Sequence, residues 1–165
     1  MASRPTSGTS SRSSRSSSGP EETRAHTALH VVKGAVARVL SPTRFVSSEL
    51  AHRSGALWAE VARRPAAEDA AKVEVSANDK VAEDDEVLEF EMERAEAEGH
   101  FGPGIYDLWP PGEAGLVRVV RIGDWEASCC TASHVGSTGQ VGAIRVDGVG
   151  YDEARGVAEV RFHLL

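Results

Sequence analysis

Between Thr27 and Leu40 the apolar residues Leu29, Val32, Val36, Val39 and Leu40 recur at helical spacing, and Pro42 ends the run because it cannot continue the backbone hydrogen-bond ladder. An amphipathic helix of this kind must lay its apolar stripe on a partner layer, so the rest of the chain has to supply one. Candidates follow directly. "RFVSSEL" and "GALWAEVA" read as short strands joined by a turn at Gly55. After Pro65, residues 66–85 read as a long helix, "EVLEFEM" as a strand, and "ERAEAEGH" as a short helix stopped by Gly99. "FGPGIYDLWPPGEAG" is rich in structure breakers and reads as loop; "LVRVVRIG" is a strand carrying Arg118 and Arg121. Residues 142–149 and 157–164 read as two final strands. Helices and strands alternate without a βαβ rhythm, so the expectation is a single α+β domain, a largely antiparallel sheet with packed helices.

Residues 1–20 hold nine serines and three arginines with no acid and almost nothing apolar. Such a segment cannot bury enough surface to offset its conformational entropy, so residues 1–22 are expected to form a disordered tail and residues 23–165 the domain. The tail's +3 within a total of −7 leaves −10 on the remainder, too acidic for general nucleic-acid binding; any RNA partner would have to meet a local basic patch. No apolar run approaches membrane-spanning length, so no membrane partner is expected. Two adjacent cysteines, Cys129 and Cys130, cannot build a disulfide framework, which favours a cytoplasmic location. The Arg- and Ser-rich tail offers a mitochondrial transit peptide as the alternative, although it lacks an amphipathic apolar face.

Two histidines, His26 and His30, stand four apart at the head of the first helix, one above the other on one face. A hundred residues later "SCCTASHVGSTGQVG", read as a loop, places Cys130 and His134 four apart. Two imidazoles, a thiolate and a third imidazole form a tetrahedral set suited to zinc, and the spacing selects Cys130 over Cys129. Both motifs coincide by chance in roughly one or two sequences per hundred. Spacing alone therefore leaves packing and a metal both open.

The segments "HTALHVVKGAV", "CTASHVGSTGQVGAIR", "ANDKVAEDDEVLEFEMERAEAEGHFG", "VRVVRIGDW" and "GVAEVRFHLL" resemble, in the same order, the freestanding alanyl-tRNA editing proteins (AlaX), particularly their short archaeal type. Those proteins are relatives of the editing domain of alanyl- and threonyl-tRNA synthetases. The resemblance implies an editing-domain fold, a bound zinc ion held by His26, His30, Cys130 and His134, and hydrolysis of mischarged tRNA(Ala), chiefly seryl and secondarily glycyl. The need is physical: a synthetase pocket built for a methyl group rejects small or near-isosteric competitors by only about a hundredfold. Whether zinc would activate water or only organise the site stays open, as does a reading without turnover, a tRNA-binding module with a structural zinc.

Near these ligands, Thr27, Ser133, Ser137, Thr138 and Gln140 are candidates for reading the serine hydroxyl, against the alternative that they support the turn or the helix start. Gly139 is expected to supply a backbone conformation forbidden to other residues. Gln140 stands where the family commonly has glutamate, and Leu29 where many synthetase domains have threonine; both bear on substrate preference. Lys33, Arg38, Arg44, Arg63 and Arg64 are candidates for the tRNA backbone, against the alternative of solubilising charge. Trp109 and Trp125 are expected in the core rather than as stacking platforms.

Overall fold

The computed structural model describes residues 19–106 and 115–165. The tail up to residue 18, with Arg4, Arg12 and Arg15, and the central loop residues 107–114 with Trp109 lie outside them. The first helix, α1 (Pro20–Leu40), starts earlier than its apolar stripe: Pro20 is pre-set for a first helical turn, so residues 20–22, assigned to the tail by composition, are helical. Then follow β1 (Arg44–Ala51), β2 (Ser54–Glu60), α2 (Asp69–Glu83), β3 (Val87–Glu93), α3 (Arg94–Phe101), β4 (Leu116–Ile122), β5 (Glu126–Cys129), β6 (Ile144–Asp152) and β7 (Val157–Leu164). The α+β expectation is borne out, with the strands divided into two antiparallel sheets ordered β1-β2-β7-β6 and β3-β4-β5.

Strand alternation explains how the smaller sheet is used. On β4, Val120 and Ile122 enter the main core with α1, α2 and the larger sheet, while Val117 and Val119 face a second cluster with Ala97 of α3 and Ile105. Arg118 shares the α1 side with Val120; Arg121, three residues on, lies on the other face, with its guanidinium over Phe101. Helix α1 is thus enclosed, with Ala25, Ala28, Val31, Val32, Ala35 and Val36 almost entirely removed from water.

Three local readings are corrected. Gly99 does not stop α3; the helix runs on to Phe101 and ends at Gly102, whose φ of 80° suits a residue without Cβ. The stretch from Ser128 read as loop begins inside β5, whose four residues are too few for an alternating pattern to stand out. It also contains a 3-10 turn at Thr138–Val141. Trp125 does belong to the core: its indole N–H donates to Val31 O at 3.1 Å, and it lies so close to α1 that a Cβ at Gly34 would sit 2.1 Å from Nε1.

Candidate metal centre

Two periodicities meet at the site. On α1, His26, Leu29, His30 and Lys33 form one helical stripe, and all four line a cleft of about 980 Å3. Facing them, Glu126, Ser128 and Cys130 occupy alternate positions along β5 and its extension, while Ala127 and Cys129 turn to the second cluster. The loop after Cys130 brings His134 back over α1. It is tied down from three sides. Val135 N–H donates to Thr27 Oγ1 at 3.0 Å, His134 N–H to Glu89 Oε1 at 2.9 Å, and Thr138 N–H to Asp85 O at 2.8 Å.

The result is a group in which ligand atoms from His30, Cys130 and His134 all lie within 4.8 Å of one another. The fourth predicted ligand, His26, stands beside this trio, its ring edge-on to His134 at 6.2 Å between centroids. The His30 and His134 rings are 4.9 Å apart. In both, Nδ1 meets a carboxylate at 2.8 Å, Glu126 for His30 and Glu89 for His134. In both, Nε2 is buried and has no hydrogen-bond partner among the described residues.

The electrostatics follow from this crowding. Burial by itself raises the Cys130 thiol, but His134, His26 and His30 around its sulfur outweigh that and bring its pKa down to about 3. Burial by itself lowers His30, and the Glu126 carboxylate, with Cys130, overturns this and lifts it to about 9. Burial pushes Glu126 up, and His30, Lys33 and Ser128 together hold it below the usual carboxylate range. Glu89 is likewise raised by burial but lowered further by His134 and Arg118. A thiolate among three imidazoles, with two buried ring nitrogens lacking partners, is a donor set that could hold a borderline-soft divalent ion.

The remaining predicted site residues fall elsewhere. Thr27 is fully buried, its hydroxyl donating to Thr23 O while accepting from Val135 N–H. Thr138 is equally buried, with its hydroxyl between Lys80 O and Asp85 N–H. Ser133 and Gln140 are exposed, Ser137 precedes the 3-10 turn, and none of these five lines the cleft. Gly139 is needed for a different reason from the one expected: its φ is not positive, but a Cβ would come 2.3 Å from Asp84 Oδ1, which accepts its N–H. Among the basic candidates, Lys33 is buried in the cleft wall and donates to Ser128 Oγ at 3.0 Å. Arg38 stacks on Trp125, Arg44 pairs with Glu60 at 3.0 Å and Arg63 with Asp69 at 2.9 Å. Arg64 is exposed and 3.9 Å from Glu153.

Sequence reasoning missed the two glutamates and the hydroxyls that do line the cleft: Ser47, Ser48, Ser128 and Thr131. Ser47 and Ser48 are neighbours on β1, just after an irregularity in its pairing between Phe45 and Ser47, and both reach the cleft lining. For Glu126 a signal existed, the alternation Glu126-x-Ser128-x-Cys130, readable once the segment is taken as extended.

Residues 117–156, which include Cys130 and His134, match the family described as the threonyl and alanyl tRNA synthetase second additional domain. The chain is 35% identical over 124 residues to an alanine–tRNA ligase of Hyperthermus butylicus, covering 74% of this chain and 13% of that protein. It is 35% identical over 125 residues to an alanine–tRNA ligase of Pyrococcus abyssi, and 30% identical over 124 residues to one of Saccharolobus islandicus, covering 74% of this chain and 14% of each relative. The chain therefore spans about one seventh of the length of these relatives. The resemblance read from the residues is borne out: residues 117–156 match the second additional domain of threonyl and alanyl tRNA synthetases, and about three quarters of the chain is similar to a segment of alanine–tRNA ligases.

Proposed function

We propose that this chain is a zinc-dependent aminoacyl-tRNA deacylase acting in trans, with residues 23–165 as the working unit and mischarged tRNA(Ala), chiefly the seryl ester and secondarily the glycyl ester, as substrate. One observation carries the reading: the buried Nε2 atoms of His30 and His134, without hydrogen-bond partners among the described residues, converge with the Cys130 sulfur, and His26, His30 and Cys130 line a cleft large enough for an aminoacyl-adenosine end. The relationship to the editing domain supplies the reaction class.

His30, Cys130 and His134, with His26 as the fourth donor, would hold a zinc ion, which would supply positive charge and Lewis acidity beside the cleft. The chain's own residues do the rest. Leu29, Phe45, Leu50 and Leu57 give the cleft apolar walls that keep bulk water from the ester. Ser47, Ser48 and Thr131 offer hydroxyls to a seryl side chain, and an alanyl ester would leave such groups without that bond. Arg38, Arg44, Arg63 and Arg64 lie exposed and serve the tRNA backbone, whereas Lys33 acts inside the cleft.

The purified chain, incubated with Ser-tRNA(Ala) and Ala-tRNA(Ala), is expected to release serine far faster than alanine, and Cys130→Ala to abolish release. Spontaneous-rate release from a chain carrying one zinc would instead favour the binding module with a structural ion.

A further inference from the structure

We propose that Glu126 and Glu89 are positioning residues of the metal centre: each clamps the Nδ1 of one histidine, and each is itself held by a basic residue, so that both Nε2 atoms are aimed before a divalent cation arrives. The inference rests on the reading of the centre as a metal site.

The two arms are built alike from unrelated parts of the chain. In the first, Glu126 Oε2 takes His30 Nδ1 at 2.8 Å. Its other oxygen accepts from the Ser128 hydroxyl and lies 3.9 Å from Lys33 Nζ, which also donates to Ser128 Oγ at 3.0 Å. In the second, Glu89 Oε1 accepts from both the ring and the backbone N–H of His134, at 2.8 and 2.9 Å. Its other oxygen takes Arg118 Nη2 at 2.6 Å, and Arg118 Nη1 reaches Thr131 O at 2.9 Å, on the loop between Cys130 and His134. Arg118 thus fixes the carboxylate and the ligand loop together.

A carboxylate on Nδ1 keeps the proton there, so the lone pair is left on Nε2, the nitrogen that in both rings has no hydrogen-bond partner among the described residues. The glutamates are not ligands, because each of their four oxygens is already engaged. Lys33 now has a reason to be buried: lysine is almost never so unless paired, and here it stands across the Glu126 carboxylate from His30.

The test measures zinc affinity of the full chain by competition with a chromophoric chelator, for wild type, Glu126→Gln and Glu89→Gln. Each variant is expected to bind about 10–100-fold more weakly, while its cobalt-substituted form keeps the thiolate-to-metal absorption that shows Cys130 still in place. Wild-type binding with both variants within twofold of it overturns this inference alone. A wild-type chain that takes up no zinc overturns the metal reading and the inference with it. If a glutamine variant loses the wild-type circular dichroism spectrum, Arg118→Lys is measured in its place; lysine cannot span Glu89 and Thr131 O with a planar fork, so several-fold weaker zinc binding is expected and unchanged affinity overturns the Glu89 arm.

Discussion

Thr27 and Thr138 show how far residue type is from residue role. Both are beside the ligands in sequence, both carry the hydroxyl that a serine reader needs, and both spend it on backbone groups. Thr138→Val removes the acceptor of the part-buried Asp85 N–H and the buried donor to Lys80 O, so a loss of about 1–3 kcal/mol is expected in denaturant unfolding. The preference for seryl over alanyl ester should stay unchanged, and a shifted preference would return Thr138 to the reading of substrate. The same limit governs what was legible at the site. Spacing pointed to His26, His30, Cys130 and His134, because i and i+4 geometry is written in the sequence, and the structure gathers the last three within 4.8 Å. It could not find Glu89, which reaches His134 from a strand 45 residues earlier through tertiary packing alone. It also could not tell that Gly139 yields space to Asp84 rather than adopting an unusual backbone.

At the scale of elements, contacts rather than propensities decide what each piece does. Gly34 lies within α1, where alanine would gain about 1 kcal/mol of helix propensity. Its missing Cβ is the space filled by Trp125, and overpacking there costs about 1–3 kcal/mol, so Gly34→Ala is expected to lower the melting temperature. A rise in melting temperature would mean that Trp125 can withdraw. Helix α2 guards the edge of the larger sheet: Asn78 donates to Ile144 O and accepts from Ile144 N–H, and Glu74 accepts from Val146 N–H. Asn78→Ala strips both bonds from β6, so a loss of about 1–3 kcal/mol and faster aggregation on heating are expected, read by light scattering. The long helices and the hairpins β1-β2 and β6-β7 were legible because several residues repeat one period. β5 was not, because it is four residues long and its inward face is Glu126 and Ser128, residues that signal a strand only when their partners are known.

For the whole molecule, an interspersed pattern of helices and strands was enough to indicate antiparallel α+β architecture, but not that β4 would face two separate clusters and so split the strands into two sheets. The acid limb of stability belongs at this scale. Asp69, almost fully buried, is held below its ordinary value of 3.8 by Arg63 and by Ala66 N–H at the head of α2. A depressed carboxylate favours the folded state above its unfolded pKa, and that advantage disappears as the pH falls through the lower folded value. Wild type should therefore exceed Asp69→Asn by about 1 kcal/mol near neutrality, the difference between a charged and a neutral acceptor for Arg63 and Ala66 N–H, and the gap should close below pH 3.8. An undiminished gap in acid would assign Asp69 a role other than its charge. The centre itself is tested most directly by stripping the chain of metal, returning zinc in substoichiometric steps, and following Ser-tRNA(Ala) deacylation at each step. Activity is expected to rise in proportion to occupancy and to stop at one zinc per chain; a metal-free chain that deacylates at the full rate would contradict the account.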